Sequence, residues 1–185
     1  MSWASPRFLA RLAAVMALAA LTAGCFQPMY AEHADGSPGL REKLAGVELD
    51  PVAKPNASHE ARLGVEIRNA LAFTLYGGAT GSTPTHRLEL KFNTSRSSLI
   101  VNPNTGLPSS ENVGIDAQYN LIEVATNKSV MTGTTFSRVS YDVPGVLNMQ
   151  RFARTRALQD AEDSAAKEIA DNIQTRLAAY FVSGT

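Results

Sequence analysis

The hydrophobic pattern of the chain begins with a short apolar run near the amino terminus. Residues 12–21 form a stretch of about ten uncharged positions, which follows a segment that carries Arg7 and Arg11 but no acidic residue. A membrane-spanning helix needs about 20 apolar residues, so the run is too short to cross a bilayer and is typical of a secretory signal. The pattern therefore predicts that the protein is exported.

A helical pattern follows further along the chain. Four aliphatic side chains recur every four residues, at Leu63, Ile67, Leu71 and Leu75. Ser58 precedes the run as a candidate N-cap, and the Gly77-Gly78 pair ends it. The spacing predicts a first helix between these two signals.

From Thr85 the apolar period changes to two, which is typical of strands with one buried and one solvated face. One strand is predicted around 88–92, a second around 113–121, and a third over 130–143 after a turn at 126–129. In the third strand the apolar residues change from even-numbered to odd-numbered positions between Phe136 and Val139, so we expect a β-bulge there. The three strands should form an antiparallel meander, and residues 47–52, which contain Pro51, suit a short edge strand.

The longest pattern lies at the carboxyl end. Between about residues 149 and 182, apolar residues repeat every four positions: Ala157, Ala161, Ala165, Ile169, Ile173, Leu177 and Phe181. A helix of about 32 residues would be about 48 Å long. Two helices on one face of a four-stranded, mostly antiparallel sheet give the predicted fold, a two-layer α+β sandwich.

Two segments lack a regular period and are predicted to be irregular. Residues 26–46 mix prolines, glycines and charges, and as a flexible tether they would span roughly 25 Å. Residues 98–112 contain Asn-Pro, Thr-Gly and Leu-Pro steps, which indicate a prominent loop.

Composition limits the possible partners. The chain is formally neutral, and loss of Arg7 and Arg11 with the signal leaves 15 basic and 17 acidic residues, a net charge of −2. No strongly basic field is available to bind nucleic acid, and the single cysteine cannot form an intramolecular disulfide. The mature chain is long enough to bury a core by packing alone.

Catalytic chemistry is not indicated. His33, His59 and His86 lack the spacing of a zinc site, and no nucleophile elbow, P-loop or dinucleotide fingerprint is present. The Glu162-Asp163 pair is interpreted as part of the solvated face of the long helix. We therefore expect a binding or assembly protein that is not an enzyme and uses no metal or cofactor.

The single cysteine, Cys25, follows Thr22-Ala23-Gly24 directly after the apolar run. This arrangement resembles the lipobox of bacterial lipoproteins, in which the thiol receives a diacylglyceryl group and the new amino terminus is acylated after cleavage. The resemblance implies a signal peptide at 1–24, a lipid-anchored tether at 25–46 and a single domain at 47–185. Phe26 replaces the aspartate that usually retains such proteins at the inner membrane, which implies the outer membrane. The alternative is an ordinary signal peptide with an unrelated thiol nearby.

The order of several segments resembles the LPS-assembly lipoprotein family (LptE), in its alphaproteobacterial style. These segments are GCFQPMY, DAQYNLIEVATNKSVMTG, VSYDVPG and RALQDAEDSAAKEIADNIQTRLAAYF. The resemblance implies a plug inside the large outer-membrane β-barrel (LptD-type) that inserts lipopolysaccharide into the outer leaflet, and help in folding that barrel. It also implies lipid anchoring on the periplasmic side and, for some members, direct binding of lipopolysaccharide.

Two sets of contact residues are expected on this basis. Cationic side chains can pair with lipid A phosphates, and the candidates are Arg87, Lys91, Arg96 and Arg138. The alternative for Arg87 and Lys91 is a solvated ladder with Glu89. The loop after residue 101 is the candidate for contact with the barrel, through Asn102, Pro103, Asn104, Leu107 and Pro108.

A different class of function stays open from the sequence. A free-standing, periplasm-facing lipoprotein could bind a lipid or a cell-wall fragment without a barrel. Co-purification separates the two hypotheses, since a plug should leave the membrane together with a large barrel.

Overall fold

Four strands form one sheet with the order β1-β2-β3-β4 in this computed structural model, which describes residues 38–54, 57–77, 83–101, 103–104, 106, 108–143 and 150–184. The strands are β1 (Val47–Leu49), β2 (His86–Val101), β3 (Pro108–Glu123) and β4 (Lys128–Asp142). Strand β1 is parallel to β2, and the other neighbours are antiparallel. The meander and the short edge strand are confirmed.

Three helices accompany the sheet within the described residues: α1 (Leu40–Ala45), α2 (His59–Tyr76) and α3 (Gln150–Ser183). The α2 and α3 helices pack on each other, and α3 also packs on β3 and β4. The predicted two-layer α+β fold is therefore confirmed, with one short helix more than the sequence indicated.

Helix α1 replaces the end of the predicted tether. Leu40 and Leu44 lie one helical turn apart and are both 3% exposed, in contact with the main core. A helix of 6 residues is too short for a repeating apolar pattern to reveal it in the sequence. The packed domain thus begins at Leu40, and residues 26–37 lie outside the described residues.

Helix α2 has the boundaries that its end signals predict. Ser58 is the N-cap, and its Oγ accepts a hydrogen bond of 3.0 Å from the backbone N–H of Ala61. Gly77 adopts the left-handed conformation, with φ of 62°, and its N–H donates to the carbonyl of Phe73.

Helix α3 is 34 residues long, about 50 Å, and matches the predicted span within a residue or two. Its inner stripe is fully buried, including Ala165, Ala166, Ala170, Ile169, Ile173 and Leu177. The small alanine side chains allow close approach to the neighbouring elements, while the larger aliphatic residues fill the core against α2 and the sheet.

The predicted loop at 98–112 is wrong over most of its length. Strand β2 continues to Val101 and β3 begins at Pro108, with Ser98 opposite Glu111 and Ile100 opposite Ser110. Register shifts on either side of Ile100 accommodate the irregular composition. Pairing within a long hairpin therefore outweighs the local turn signals.

The predicted bulge at Phe136–Val139 is also wrong. Phe136, Arg138 and Val139 pair in unbroken register with β3, and the shift in this pair of strands lies instead at Leu121/Ile122. Phe136 is 65% exposed because it points away from the helices. Side chains alternate without interruption between the two faces of β4 in this region, and Phe136 lies on the face that points away from the core.

Candidate functional site

The face of the sheet opposite the helices is polar, and we call it the outer face. Strand register places its residues in cross-strand rows: Glu89, Asn120 and Thr132; Lys91, Gln118 and Thr134; Asn93, Asp116 and Phe136. Neighbouring strands are about 4.8 Å apart, so side chains within a row are close neighbours. The other face of the same strands carries the core residues Leu88, Leu90, Phe92, Ile115 and Leu121.

An open cavity of about 850 Å³ lies over the outer face. Its floor includes Lys91, Gln118 and Phe136, and residues 50–54 form one rim. Lys54 stabilises this rim, since its Nζ donates to the carbonyl of Phe92 at 2.8 Å. A second cavity of about 410 Å³ shares Glu89, Lys91, Gln118 and Thr134 with the first. The outer face therefore carries two adjoining concave regions.

Three of the four cations proposed for lipopolysaccharide lie on the outer face. The Arg87 guanidinium lies 3.5 Å from an Asp50 carboxylate oxygen, and Arg138 Nη2 donates to both carboxylate oxygens of Asp116 at 2.7 and 2.9 Å. Lys91 is exposed and makes no side-chain hydrogen bond or ion pair within the described residues. Lys91 and Arg138 are separated by four residues along the sheet, about 13 Å, so the three cations are spread out along the surface.

The fourth cation, Arg96, points to the helix side of the sheet. Its guanidinium lies 3.3 Å from Glu162, whose side chain is only 2% exposed. His59 Nε2 lies 2.6 Å from the same carboxylate, and Arg62 also pairs with it. Three partly exposed cationic or polar side chains thus surround one buried carboxylate between α2, β2 and α3.

The interpretation of Glu162 as a solvated residue is therefore wrong. Glu162 lies four residues before Ala166 and eight before Ala170, so it belongs to the buried stripe of α3. This spacing could have revealed its burial from the sequence. The cationic partners of Glu162 come from α2 and β2, and only the tertiary fold brings these two elements next to α3.

A second buried polar group lies toward the carboxyl end of β4. The Tyr141 hydroxyl donates to Glu111, which also accepts a hydrogen bond of 2.7 Å from Arg154. Burial raises the pKa of Tyr141 to about 12, and the hydrogen bond to Glu111 contributes in the same direction. The sequence gives no signal for this group, because Glu111 lies in the predicted loop.

The residues expected to touch a barrel lie at or beyond the end of the β2–β3 hairpin. Pro103 and Asn104 are exposed, whereas Asn102 and Leu107 lie outside the described residues and Pro108 begins β3. Three exposed apolar residues precede them on β2: Leu99, Ile100 and Val101. These three lie outside the set of residues that was predicted to touch the barrel.

Other predicted features fall outside what the structure describes. Cys25 and His33 belong to the undescribed amino-terminal part. Within the described residues, no three His, Cys, Asp or Glu side chains are grouped as metal ligands. No helix in the described part of the chain is long and apolar enough to cross a membrane.

The fold and its outer face together define the class of protein, a two-layer α+β domain that presents a concave polar sheet surface. The chain belongs to the LptE family of lipopolysaccharide-assembly proteins, whose model matches residues 44–177. The match extends from the end of α1 to within two turns of the end of α3, and it confirms the resemblance found in the sequence. No curated protein sequence matches the chain.

Two solved structures illustrate the shared fold. A candidate lipoprotein from Caulobacter crescentus CB15 superposes with a TM-score of 0.62 at 24% identity, over 80% of this chain and 98% of the other. The rare lipoprotein B from Shewanella oneidensis gives a TM-score of 0.52 at 16% identity, over 74% of this chain and 96% of the other. At these identities the likeness shows the fold.

Proposed function

We propose that this protein is an outer-membrane lipoprotein that plugs and helps to assemble an LptD-type translocon barrel during delivery of lipopolysaccharide. A covalent lipid on Cys25 anchors it on the periplasmic side, and the protein is not an enzyme. The observation that carries the proposal is the LptE family match over residues 44–177, which includes most of the packed domain.

The end of the β2–β3 hairpin supports contact with a large partner. Leu99, Ile100 and Val101 are 53%, 60% and 51% exposed, although they are consecutive residues of a strand. Successive strand residues point to opposite faces, so this apolar tip is uncovered on both sides. Exposed apolar residues in a row favour burial against another surface, and the barrel wall is the proposed one.

Lipopolysaccharide contact is proposed for Arg87, Lys91 and Arg138 on the outer face. Guanidinium and ammonium groups pair well with phosphates, and Lys91 has no competing partner within the described residues. Arg96 is a separate case, because a phosphate would have to compete with Glu162 for its guanidinium.

The test is a pull-down of the tagged, full-length protein from outer membranes in mild detergent. We expect a large barrel in near-stoichiometric amount with the wild type, and strong loss of it in the double variant L99S/I100S. The matched control is V65S/F73S, since Val65 and Phe73 are 58% and 73% exposed on α2. A protein that never retains a barrel would overturn the plug proposal and favour a free-standing lipid- or wall-binding lipoprotein.

The anchor is tested separately by replacing Cys25 with serine. The variant should lose the mass of the diacylglyceryl and acyl groups, because serine has no thiol to receive the first chain. A variant whose mass still includes these groups would contradict lipidation at Cys25.

A further inference from the structure

Strand β2 has a neighbouring strand along only part of one edge. On the side away from β3, β1 pairs with residues 86–88, and the described residues supply no partner strand for the rest of that edge. We infer that residues 93–98, which we call the free edge, form a peptide-binding site that adds an extended acidic segment of a partner protein to the sheet. The inference goes beyond the proposed function, because it uses neither the side chains of the outer face nor the exposed residues of the hairpin tip.

Two backbone contacts show which residues of β2 direct their hydrogen-bonding groups away from β3. In an antiparallel pair, the N–H and C=O groups of one residue face the partner strand, and those of the next residue face away. The carbonyl of Leu88 accepts a hydrogen bond of 3.1 Å from the N–H of Asp50, and the carbonyl of Phe92 accepts one of 2.8 Å from Lys54 Nζ. Even-numbered residues of β2 therefore face away from β3.

The same direction continues along the free edge, because the register with β3 is unbroken as far as Ser98. The backbone N–H and C=O groups of Thr94, Arg96 and Ser98 thus point toward the vacant side, and none of them has a hydrogen-bond partner within the described residues. Alternate residues that each offer one donor and one acceptor form the pattern to which an added strand binds.

The free edge is accessible and has the length of one average strand. All six of its residues are exposed, and none is a proline or a lysine, the residues that often protect an edge from pairing. At one end the contact of Lys54 with Phe92 marks the limit, and at the other the register shifts begin after Ser98. Six residues match the usual strand length of about five or six.

The charge beside the free edge favours an acidic segment. The side chains of Arg62, Arg96 and Arg154 are 40%, 48% and 51% exposed, whereas their partners Glu162 and Glu111 are 2% and 11% exposed. Solvent therefore meets the cations, with the carboxylates beneath them. Arg96 contacts Glu162 through Nη2 at 3.3 Å, so its Nε and Nη1 can donate to a carboxylate of an added strand.

The experiment starts from a library of random octapeptides displayed on phage, which is selected against the full-length protein in mild detergent. We expect enriched peptides with acidic residues at alternate positions, because alternate side chains of an added strand lie on the same face as Arg96. The affinity of a synthetic copy is then measured by fluorescence anisotropy. Absence of enrichment over beads without protein would overturn the inference.

Methylation of the peptide backbone tests strand addition directly. N-methyl groups on every second residue remove the donors that face β2, whereas methyl groups on the other residues point away from it. One methylated peptide should therefore lose binding and its counterpart should keep it. Equal affinities of the two methylated peptides would rule out pairing with the free edge.

Hydrogen exchange locates the bound strand on the protein. The amides of Thr94, Arg96 and Ser98 should exchange about tenfold more slowly with the peptide bound, whereas those of Ser95 and Ser97 already face β3 and should change little. Protection of the same three amides by a rise in protein concentration, without peptide, would assign the edge to a second copy of the chain and overturn the inference.

A charge variant tests the preference for acidic peptides. R96Q should weaken binding about tenfold, the effect of losing one hydrogen bond between charged groups. The matched control is R156Q, since Arg156 is 74% exposed and pairs with Asp160 within α3. Circular dichroism and thermal melting confirm that both variants are folded. Equal affinities of R96Q and R156Q would contradict a role of Arg96 in selecting acidic segments.

Failure of this inference is distinguishable from failure of the proposed function. Loss of the peptide result would leave the barrel pull-down unchanged. Conversely, L99S/I100S should lose the barrel and keep the peptide, because the free edge ends at Ser98.

Discussion

Glu162 Oε1 lies 2.6 Å from His59 Nε2, and this contact joins the middle of α3 to the first residue of α2. Arg62 and Arg96 complete the group around the same carboxylate, so one buried charge holds two helices and β2 together. Because Glu162 is shielded from water while its partners are 40% to 48% exposed, the cations can regain water if the carboxylate is lost.

We expect E162Q to lower the free energy of unfolding by about 1.5 to 3 kcal/mol, the range for losing hydrogen bonds to a charged group. Urea denaturation measures the change. The control is D160N, which removes an exposed pair with Arg156 on the same helix and should change stability by less than about 0.5 kcal/mol. An E162Q variant as stable as the wild type would mean that the cost of burying the carboxylate cancels its contacts.

Tyr141 should make the domain sensitive to alkaline pH. Its pKa is raised from 10.0 to about 12, so its hydroxyl stays protonated in the folded protein at pH values where it would ionise in the unfolded chain. The resulting stabilisation is fully present below pH 10 and is lost as the pH rises toward 12. Titration of tyrosinate absorbance should show one hydroxyl that ionises last, and Y141F should remove it.

At neutral pH, Y141F should also lower the free energy of unfolding by about 1 to 3 kcal/mol, because buried Glu111 loses the Tyr141 donor and, among the described residues, keeps Arg154. Y180F, which changes a half-buried tyrosine on α3, is the comparison. Equal effects of the two substitutions would contradict a specific role for the contact with Glu111.

Gly133 is required by the ring of Tyr119. The two residues face each other across β3 and β4, and a Cβ at position 133 would overlap the Tyr119 ring and hydroxyl. Tyr119 is only 3% exposed and cannot move aside freely, so G133A should cost about 1 to 3 kcal/mol. Thermal unfolding measures this loss.

The double variant Y119L/G133A tests the cause. If the overlap is responsible, the effect of G133A should be much smaller in the Y119L background, which is a non-additive result. Full additivity would show that the loss has another origin.

His86 should weaken the domain in mild acid. Burial lowers its pKa from 6.5, with a smaller opposing effect of Glu123, and its ring contacts Phe181 at a centroid distance of 5.1 Å. The folded state therefore favours the neutral ring, so the stabilisation is fully present above pH 6.5 and is lost as the pH falls through the lowered pKa.

Melting temperatures between pH 7 and pH 5 check this prediction. The wild type should lose more stability over this window than H86Q, since glutamine does not titrate. Parallel curves for the two proteins would rule out a contribution from His86.

Local patterns in the sequence were sufficient to predict the main helices and strands. Ser58 and Gly77 bound α2 because caps act within one turn, and the four-residue repeat from Ala161 to Leu177 defines the inner stripe of α3. The period-two pattern on β3 likewise placed Ile115, Ala117 and Tyr119 on one face. These features depend on residues that are close in the chain, so the sequence determines them by itself.

Only the tertiary structure decided which surfaces are covered. Phe136 is on the outer face and Glu162 is buried, the reverse of what hydrophobicity alone indicates, because burial depends on which elements pack on each face. The length of the β2–β3 hairpin was likewise set by pairing between distant residues. Periodicity defines which side chains share a face, and long-range packing determines whether that face meets the core, solvent or a ligand.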